Sequence, residues 1–280
     1  MRTDFGILVL MSRIDETFRQ LRSRNRKGFI PFVTAGDPDL KTSVEIVLTL
    51  AKNGADVIEL GVPFSDPMAD GPTIQASSQR ALQKSVALGD ILEMVRELRT
   101  GTEIPIVLFS YLNPLYRYGI ERLTKDAARA GIDGILITDA VDNEAAEISS
   151  VLQRYEIDLI SLVAPTTTDE RLAMIATRSS GFLYAVSRTG VTGAQKETSG
   201  AAEALVQRAR KVTDLPIAVG FGISTADQIA QVWKYADAAV VGSAIVKEIE
   251  GSISSGNTVE RVRNFVASLL PEVAKETAEI

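Results

Sequence analysis

Short apolar runs, rich in Val, Ile and Leu and closed by Gly, Asp or Ser, recur along the chain at residues 29–35, 55–61, 104–111, 134–139, 158–164, 182–187, 217–222 and 238–243. Runs of that length bounded by turn formers predict buried strands. Between them the apolar positions repeat at helical spacing. Residues 40–53 predict an amphipathic helix closed by Gly54, residues 201–212 a second, and residues 258–270 a last helix that packs through Val262, Phe265, Val266 and Leu269. An open doubly wound sheet also alternates strands and helices. Eight near-even units, with no Gly-x-Gly-x-x-Gly after the first strand, favour closure instead. The expected fold class is α/β, a single-domain (β/α)8 TIM barrel.

One more helix precedes the first strand. Ser12-Arg13-Ile14-Asp15 reads as an N-cap with an acid in the first turn, and Ile14, Phe18 and Leu21 follow at helical spacing. Residues 1–11 are read as a disordered extension, residues 12–270 as the barrel domain and residues 271–280 as a tail. The apolar run at residues 5–11 falls far short of the ~20 residues that span a bilayer and has no small-residue cleavage site, so a cytoplasmic location is expected.

Composition narrows the chemistry. A length of 280 residues suits one barrel, and a net charge of −6 opposes a nucleic-acid binder, which needs a basic face. The chain has no cysteine and no histidine. Disulfides, thiolate nucleophiles, Ser-His-Asp triads and imidazole-based zinc sites are thereby excluded, and acid–base work falls to Asp, Glu, Lys or Tyr.

In such barrels the chemistry sits on the loops after the strands. In the second strand, alternation puts Val57, Glu59 and Gly61 on one face and Ile58 and Leu60 on the other, so Glu59 has apolar neighbours either way. Desolvation there would raise its pKa and poise it to trade a proton. A Glu paired with Lys or Arg at the barrel rim is the competing reading. The loop that follows holds Asp66 and Asp70 between prolines. Each also suits a plain turn, with Asp70 capping a helix that starts near Pro72. Glu59, Asp66 and Asp70 together could hold Mg²⁺, which keeps a metal-assisted aldolase or epimerase open.

Three late loops are rich in small residues: Gly190-Val191-Thr192-Gly193, Gly220-Phe221-Gly222-Ile223-Ser224 and Gly242-Ser243-Ala244. Glycines let backbone N–H groups approach an oxyanion, and a short helix after the eighth strand would add its dipole, so a phosphate site is expected here. Phe32, Phe109, Leu136, Leu162, Tyr184 and Phe221 lie near strand ends and could line a pocket for a flat ring.

From Ser12 to about Ile249 the chain resembles the tryptophan synthase alpha subunit family. The runs that carry the resemblance are Pro31-Phe32-Val33-Thr34-Ala35-Gly36-Asp37-Pro38, Glu59 through Gln75, Ser187-Arg188-Thr189-Gly190-Val191-Thr192-Gly193, and Gly220-Phe221-Gly222-Ile223-Ser224. The resemblance implies a lyase that releases indole from indole-3-glycerol phosphate by a retro-aldol reaction. It implies Glu59 as the catalytic glutamate and Asp70 as the aspartate that holds the indole N–H. Phosphate contacts would come from Gly193, Gly222, Gly242 and Ser243, pocket aromatics from Phe32, Tyr184 and Phe221, and a closing-loop threonine from Thr192. It further implies an α2β2 complex, whose beta subunit would meet Asp66, Pro67, Asn113, Pro114 and Asp139 on the loops after strands two, three and four. No metal and no cofactor are expected in this chain, and pyridoxal phosphate would belong to the beta subunit.

The sequence departs from the family at the fourth strand. Asp139-Ala140-Val141-Asp142-Asn143 lacks the family's proline, which predicts a looser loop there. A phosphate-binding regulator of a beta subunit and another phosphosugar enzyme are the alternative functions; intact Glu59 and Asp70 oppose the first.

Overall fold

The computed structural model describes residues 11–187, 199–220 and 222–270. Helix α1 (Arg13–Ser23) precedes β1 (Gly28–Thr34), which leads through α2 (Leu40–Lys52) to β2 (Ile58–Gly61). Helices α3 (Pro72–Gln83) and α4 (Leu88–Leu98) then precede β3 (Ile106–Ser110), and α5 (Leu112–Tyr118) and α6 (Ile120–Ala130) precede β4 (Gly134–Ile137). The chain continues through α7 (Asp142–Gln153), β5 (Asp158–Val163), α8 (Asp169–Arg178), β6 (Leu183–Val186), α9 (Ser199–Ala209) and β7 (Ile217–Gly220). It ends with α10 (Ala226–Val232), β8 (Ala238–Val241), α11 (Ser243–Glu250) and α12 (Thr258–Leu269).

The eight strands close into a parallel barrel in sequence order, β1 pairing with both β2 and β8. All eight predicted runs are strands, but several are shorter than expected. Residues 55 and 56 belong to the turn before β2: Gly54 takes φ +97° just after the C-cap of α2, and the Asp56 carboxylate accepts the Phe29 N–H at 2.8 Å. The bounds expected at residues 1–11 and 271–280 fall outside the described residues, Met11 excepted.

Alternation along each strand creates two cores. Ile30, Val107, Leu136 and Val240 fill the barrel, whereas Phe29, Val33, Ile58 and Leu60 pack outward against the helices. Both strand faces are buried, so the strands read as continuous apolar runs instead of alternating ones.

Helix α1 is the floor of this barrel. Its N-cap Ser12 accepts the Asp15 N–H at 3.1 Å, as the sequence predicts, and Ile14, Phe18 and Leu21 are buried. Phe18 meets Phe182 at 5.7 Å between ring centroids. Gly28 and Gly134, the first residues of their strands, leave the room: a Cβ there would stand 3.2 Å from Leu21 and 3.1 Å from Ile14. Polar ties fix the helix ends. Ser12 Oγ donates to Asp158 at 2.8 Å, and Asp133 accepts from both Arg13 (3.0 Å) and Arg99 (2.7 Å). Among the described residues no helix is long and apolar enough to cross a membrane.

Phe18→Ala should open a cavity in this floor and destabilise the protein by about 3–5 kcal/mol. A lower urea midpoint at unchanged slope is the expected result. A loss under about 1 kcal/mol would mean that the helix merely rests on the barrel.

Candidate active site

Glu59 lies in β2 between Phe32 of β1 and Val107 of β3, with its side chain inside the barrel. It is fully buried, and neither carboxyl oxygen has a hydrogen-bond partner among the described residues. Among the described residues, the rim ion pair considered for it is not formed. Burial alone pushes its pKa well above the usual carboxylate range, which favours the protonated form. Tyr184 stands close: its hydroxyl pKa is pushed far up by burial and, secondarily, by the Glu59 charge.

Asp70 occupies a different environment. The helix expected near Pro72 begins there, but its N-cap is Gly71, without a side-chain cap, so the Asp70 carboxylate is not spent on capping. Its backbone is held instead: the Asp70 N–H donates to Pro67 O at 3.1 Å, and Gln75 Nε2 donates to Asp70 O at 2.8 Å. Burial raises the pKa of Asp70 to about 6, and a hydrogen bond from Tyr111 opposes that rise. The two carboxyl groups thus lie on β2 and the loop that follows it, one enclosed in the barrel and the other partly solvated, and burial raises the pKa of each. Environments that differ in this way can separate an acid from an anion.

Described side chains expected to line a pocket cluster around Glu59. Phe32 and Phe109 meet edge-to-face at 5.3 Å, Phe109 and Tyr184 at 6.5 Å, and Leu136 and the partly buried Leu162 complete the wall. Ile74 of α3 joins it, a residue that the sequence reading did not single out. Two strand-end glycines make the space. A Cβ on Gly61 would lie 2.5 Å from the Phe32 ring, and one on Gly220 would land on the Tyr184 hydroxyl. Gly220, expected in a phosphate loop, is in fact a β7 residue whose missing side chain admits a ring.

Two more of the expected phosphate positions, Gly242 and Gly222, lie at or after the ends of β8 and β7. A short helix, α11, does follow β8, with Gly242 as N-cap and no side chain capping it. The first N–H groups of that helix have no intrahelical acceptor and open toward the barrel mouth, beside the exposed Ser243. Gly222 takes φ +80°. Gly242 also stands close to an aromatic ring: a Cβ there would lie 3.3 Å from Phe32, which would have to give by a few tenths of an ångström. Thr192, Gly193 and Phe221 lie outside the described residues.

The residues assigned to a partner face sit on the same end. Asp66 is exposed and Pro67 half-buried; the adjoining Met68 is 86% exposed. Asn113 and Pro114 are not in a loop, as expected, but in the first turn of α5. That turn is capped from the end of the neighbouring β4 by Asp139, whose Oδ1 accepts the Leu112 N–H at 2.7 Å. The segment after β4 is short, because α7 starts at Asp142 with Val141 as N-cap at φ −124°. Proline requires φ near −65°, so Val141 as it stands does not suit the family's proline. Among the described residues no three acidic side chains converge as a metal site, which separates Glu59, Asp66 and Asp70.

The family model described as "Tryptophan synthase alpha chain" matches residues 18–274. The chain is 49% identical over 265 residues to the tryptophan synthase alpha chain of Geobacter sp. (strain M21), covering 95% of this chain and 99% of that protein. It is 47% identical over 272 residues to that of Acidiphilium cryptum, covering 95% and 99%. Among solved structures, tryptophan synthase subunit alpha from Legionella pneumophila superposes with a TM-score of 0.87 at 36% identity, over 95% of this chain and 99% of that one.

Gly220→Ala should force the Tyr184 ring aside and destabilise the fold by about 1–3 kcal/mol. Tyr184→Phe in the same chain should recover part of that loss. A double-mutant cycle reads the coupling; strictly additive effects would mean that ring and glycine are not in contact.

Proposed function

This chain belongs to the tryptophan synthase alpha chain family, and from that premise we propose how its own residues perform the family's reaction. The enzyme is a lyase that cleaves indole-3-glycerol phosphate to indole and glyceraldehyde 3-phosphate in tryptophan biosynthesis. Membership decides against the isomerase, epimerase and metal-assisted aldolase readings. Alpha chains of this family carry no cofactor of their own.

Breaking the bond between indole C3 and the glycerol side chain requires a proton on C3 and the loss of one from the side-chain hydroxyl. In our reading the neutral carboxyl of Glu59 protonates C3. The ring cation so formed is held by the ionised Asp70 at N1–H. Glu59, now a carboxylate, accepts the hydroxyl proton as the C–C bond breaks, the aldehyde forms and the bonding electrons return to the ring. Indole leaves and Glu59 is again protonated. The observation that carries this reading is the buried Glu59, whose carboxyl oxygens have no hydrogen-bond partner among the described residues. Phe32, Phe109, Leu136, Leu162, Tyr184 and Phe221 would hold the ring, and Gly193, Gly222, Gly242 and Ser243 the phosphate. Thr192 would belong to a loop that closes over it.

Alpha chains of this family work with a beta subunit. We assign the α2β2 assembly, pyridoxal phosphate in the partner and a cytoplasmic location as part of the same proposal. Met68, Val141 and Tyr116, large apolar side chains exposed beyond β2, β4 and β3, support a partner surface around the mouth with Asp66, Pro67, Asn113, Pro114 and Asp139.

Incubating the chain with indole-3-glycerol phosphate, with and without a beta subunit, and following indole is the direct test. Glu59→Gln should abolish release with an unchanged circular dichroism spectrum, since the amide fills the space but carries no proton. Asp70→Asn should be severely impaired. Retained turnover in either would remove that residue's role. The ionised form of Asp70 is the active one, so kcat/KM should fall as pH drops through about 6, and fall again on the alkaline side as Glu59 loses its proton. A profile flat from pH 5 to 7 would contradict the Asp70 assignment.

Gly242→Val should raise KM, and the inhibition constant of glycerol phosphate, more than it lowers kcat. Unchanged affinity for both would place the phosphate elsewhere.

A further inference from the structure

Helix α3 starts directly after the loop of Asp70, and Ile74 in its first turn packs against the cluster that holds Phe32 and Phe109. Helix α11 starts after Gly242, where the proposed phosphate contact lies, and packs against α3. The two helices thus carry groups for the two ends of one substrate. Polar contacts tie them together. Ser77 Oγ of α3 lies 2.6 Å from Thr34 Oγ1 at the end of β1, and both residues are buried. One turn further, Arg80 Nε and Nη2 donate to Asp37 Oδ1 and Oδ2 at 2.7 and 2.9 Å, while Nη1 donates to Glu250 Oε1 at 3.0 Å. The Asp37 side chain is fully buried, whereas that of Glu250 is about half exposed. Glu250 is the last residue of α11, an end at which the helix dipole disfavours an acid, and Arg80 supplies the cation that offsets this.

We propose that Arg80 is a positioning residue of the lyase reaction, fixing α3 against α11 so that Asp70 and the phosphate contact stand at the separation one substrate spans. The inference rests on the roles given to Asp70 and Gly242 above and adds the group that sets the distance between them. A planar guanidinium with all three nitrogens engaged admits one geometry, and the point charge of a lysine cannot span three oxygens on two elements. The enclosed Asp37 fixes the direction of that fork, since a carboxylate without water must keep its donors. Through Nη1 the same fork reaches α11.

Calorimetric titration of the full chain with three ligands is the test: glycerol phosphate for one end, indole for the other, and indole carrying a propyl phosphate chain for both at once. In the parent chain the joined ligand should bind far more tightly than either fragment, because its second contact is intramolecular. Arg80→Lys keeps a cation beside Asp37. It should weaken the joined ligand by about tenfold, within the range for residues that modulate coupling between two sites, and change each fragment by less than about threefold. With a beta subunit added, kcat/KM for indole-3-glycerol phosphate should fall by the same factor as the joined ligand. Glu250→Ala cuts only the link to α11, at a surface where ion pairs contribute little to stability, so it keeps the test decisive should Arg80→Lys fold poorly. Its effect should be smaller but equally selective for the joined ligand. A joined ligand weakened no more than its fragments would overturn the proposal. A parent chain that binds the joined ligand no better than the fragments would overturn the underlying reading instead.

Discussion

Enclosing a carboxyl group among aromatic and aliphatic side chains, with no hydrogen bond to replace lost hydration, is tolerable only while the group keeps its proton. Glu59 lives under that constraint, and the layout of the mouth follows from it. The surrounding wall has to exclude water, so the rings of Phe32, Phe109 and Tyr184 close on one another and the strand ends beside them give up their side chains at Gly61 and Gly220. An anion could not share that chamber. The second carboxyl group stands apart on the loop after β2, partly solvated, where ionisation costs less.

The two ends of the barrel divide the remaining work. At the N-terminal end, charges meet in ties that hold α1, as Asp133 does between Arg13 and Arg99. At the C-terminal end, polar contacts position loops, as Asp139 does for the first turn of α5 and Gln75 for the backbone of Asp70. The same residue types thus serve anchoring below and aiming above, in keeping with the separation of stability and chemistry in this fold.

Much of this was legible in the sequence. Eight apolar runs and the helical repeats between them specified the closed barrel, because strands buried on both faces leave an unbroken apolar signature. Glu59 could be placed on an apolar face from alternation alone. Its lack of a partner among the described residues could not, since pairing depends on which side chains the barrel closure brings near. Tyr111 gave no local signal: a tyrosine at a strand end is ordinary, and its hydroxyl accepts the Ala69 N–H from a loop far away in sequence through the β2–β3 adjacency. The glycines misled in an instructive way. Gly220 and Gly242 were read as room for phosphate, whereas both also make room for an aromatic ring. A missing side chain marks a close approach without naming what approaches.

The floor made by α1 has a bearing on traffic. Ile14, Phe18 and Leu21 close the lower opening of the barrel, so a molecule that reacts at Glu59 would have to come from the loop-bearing end. An apolar product formed there would depart by the way its precursor came. Whatever covers that end would therefore control both arrivals and departures, and the destination of the product would be decided by the covering body.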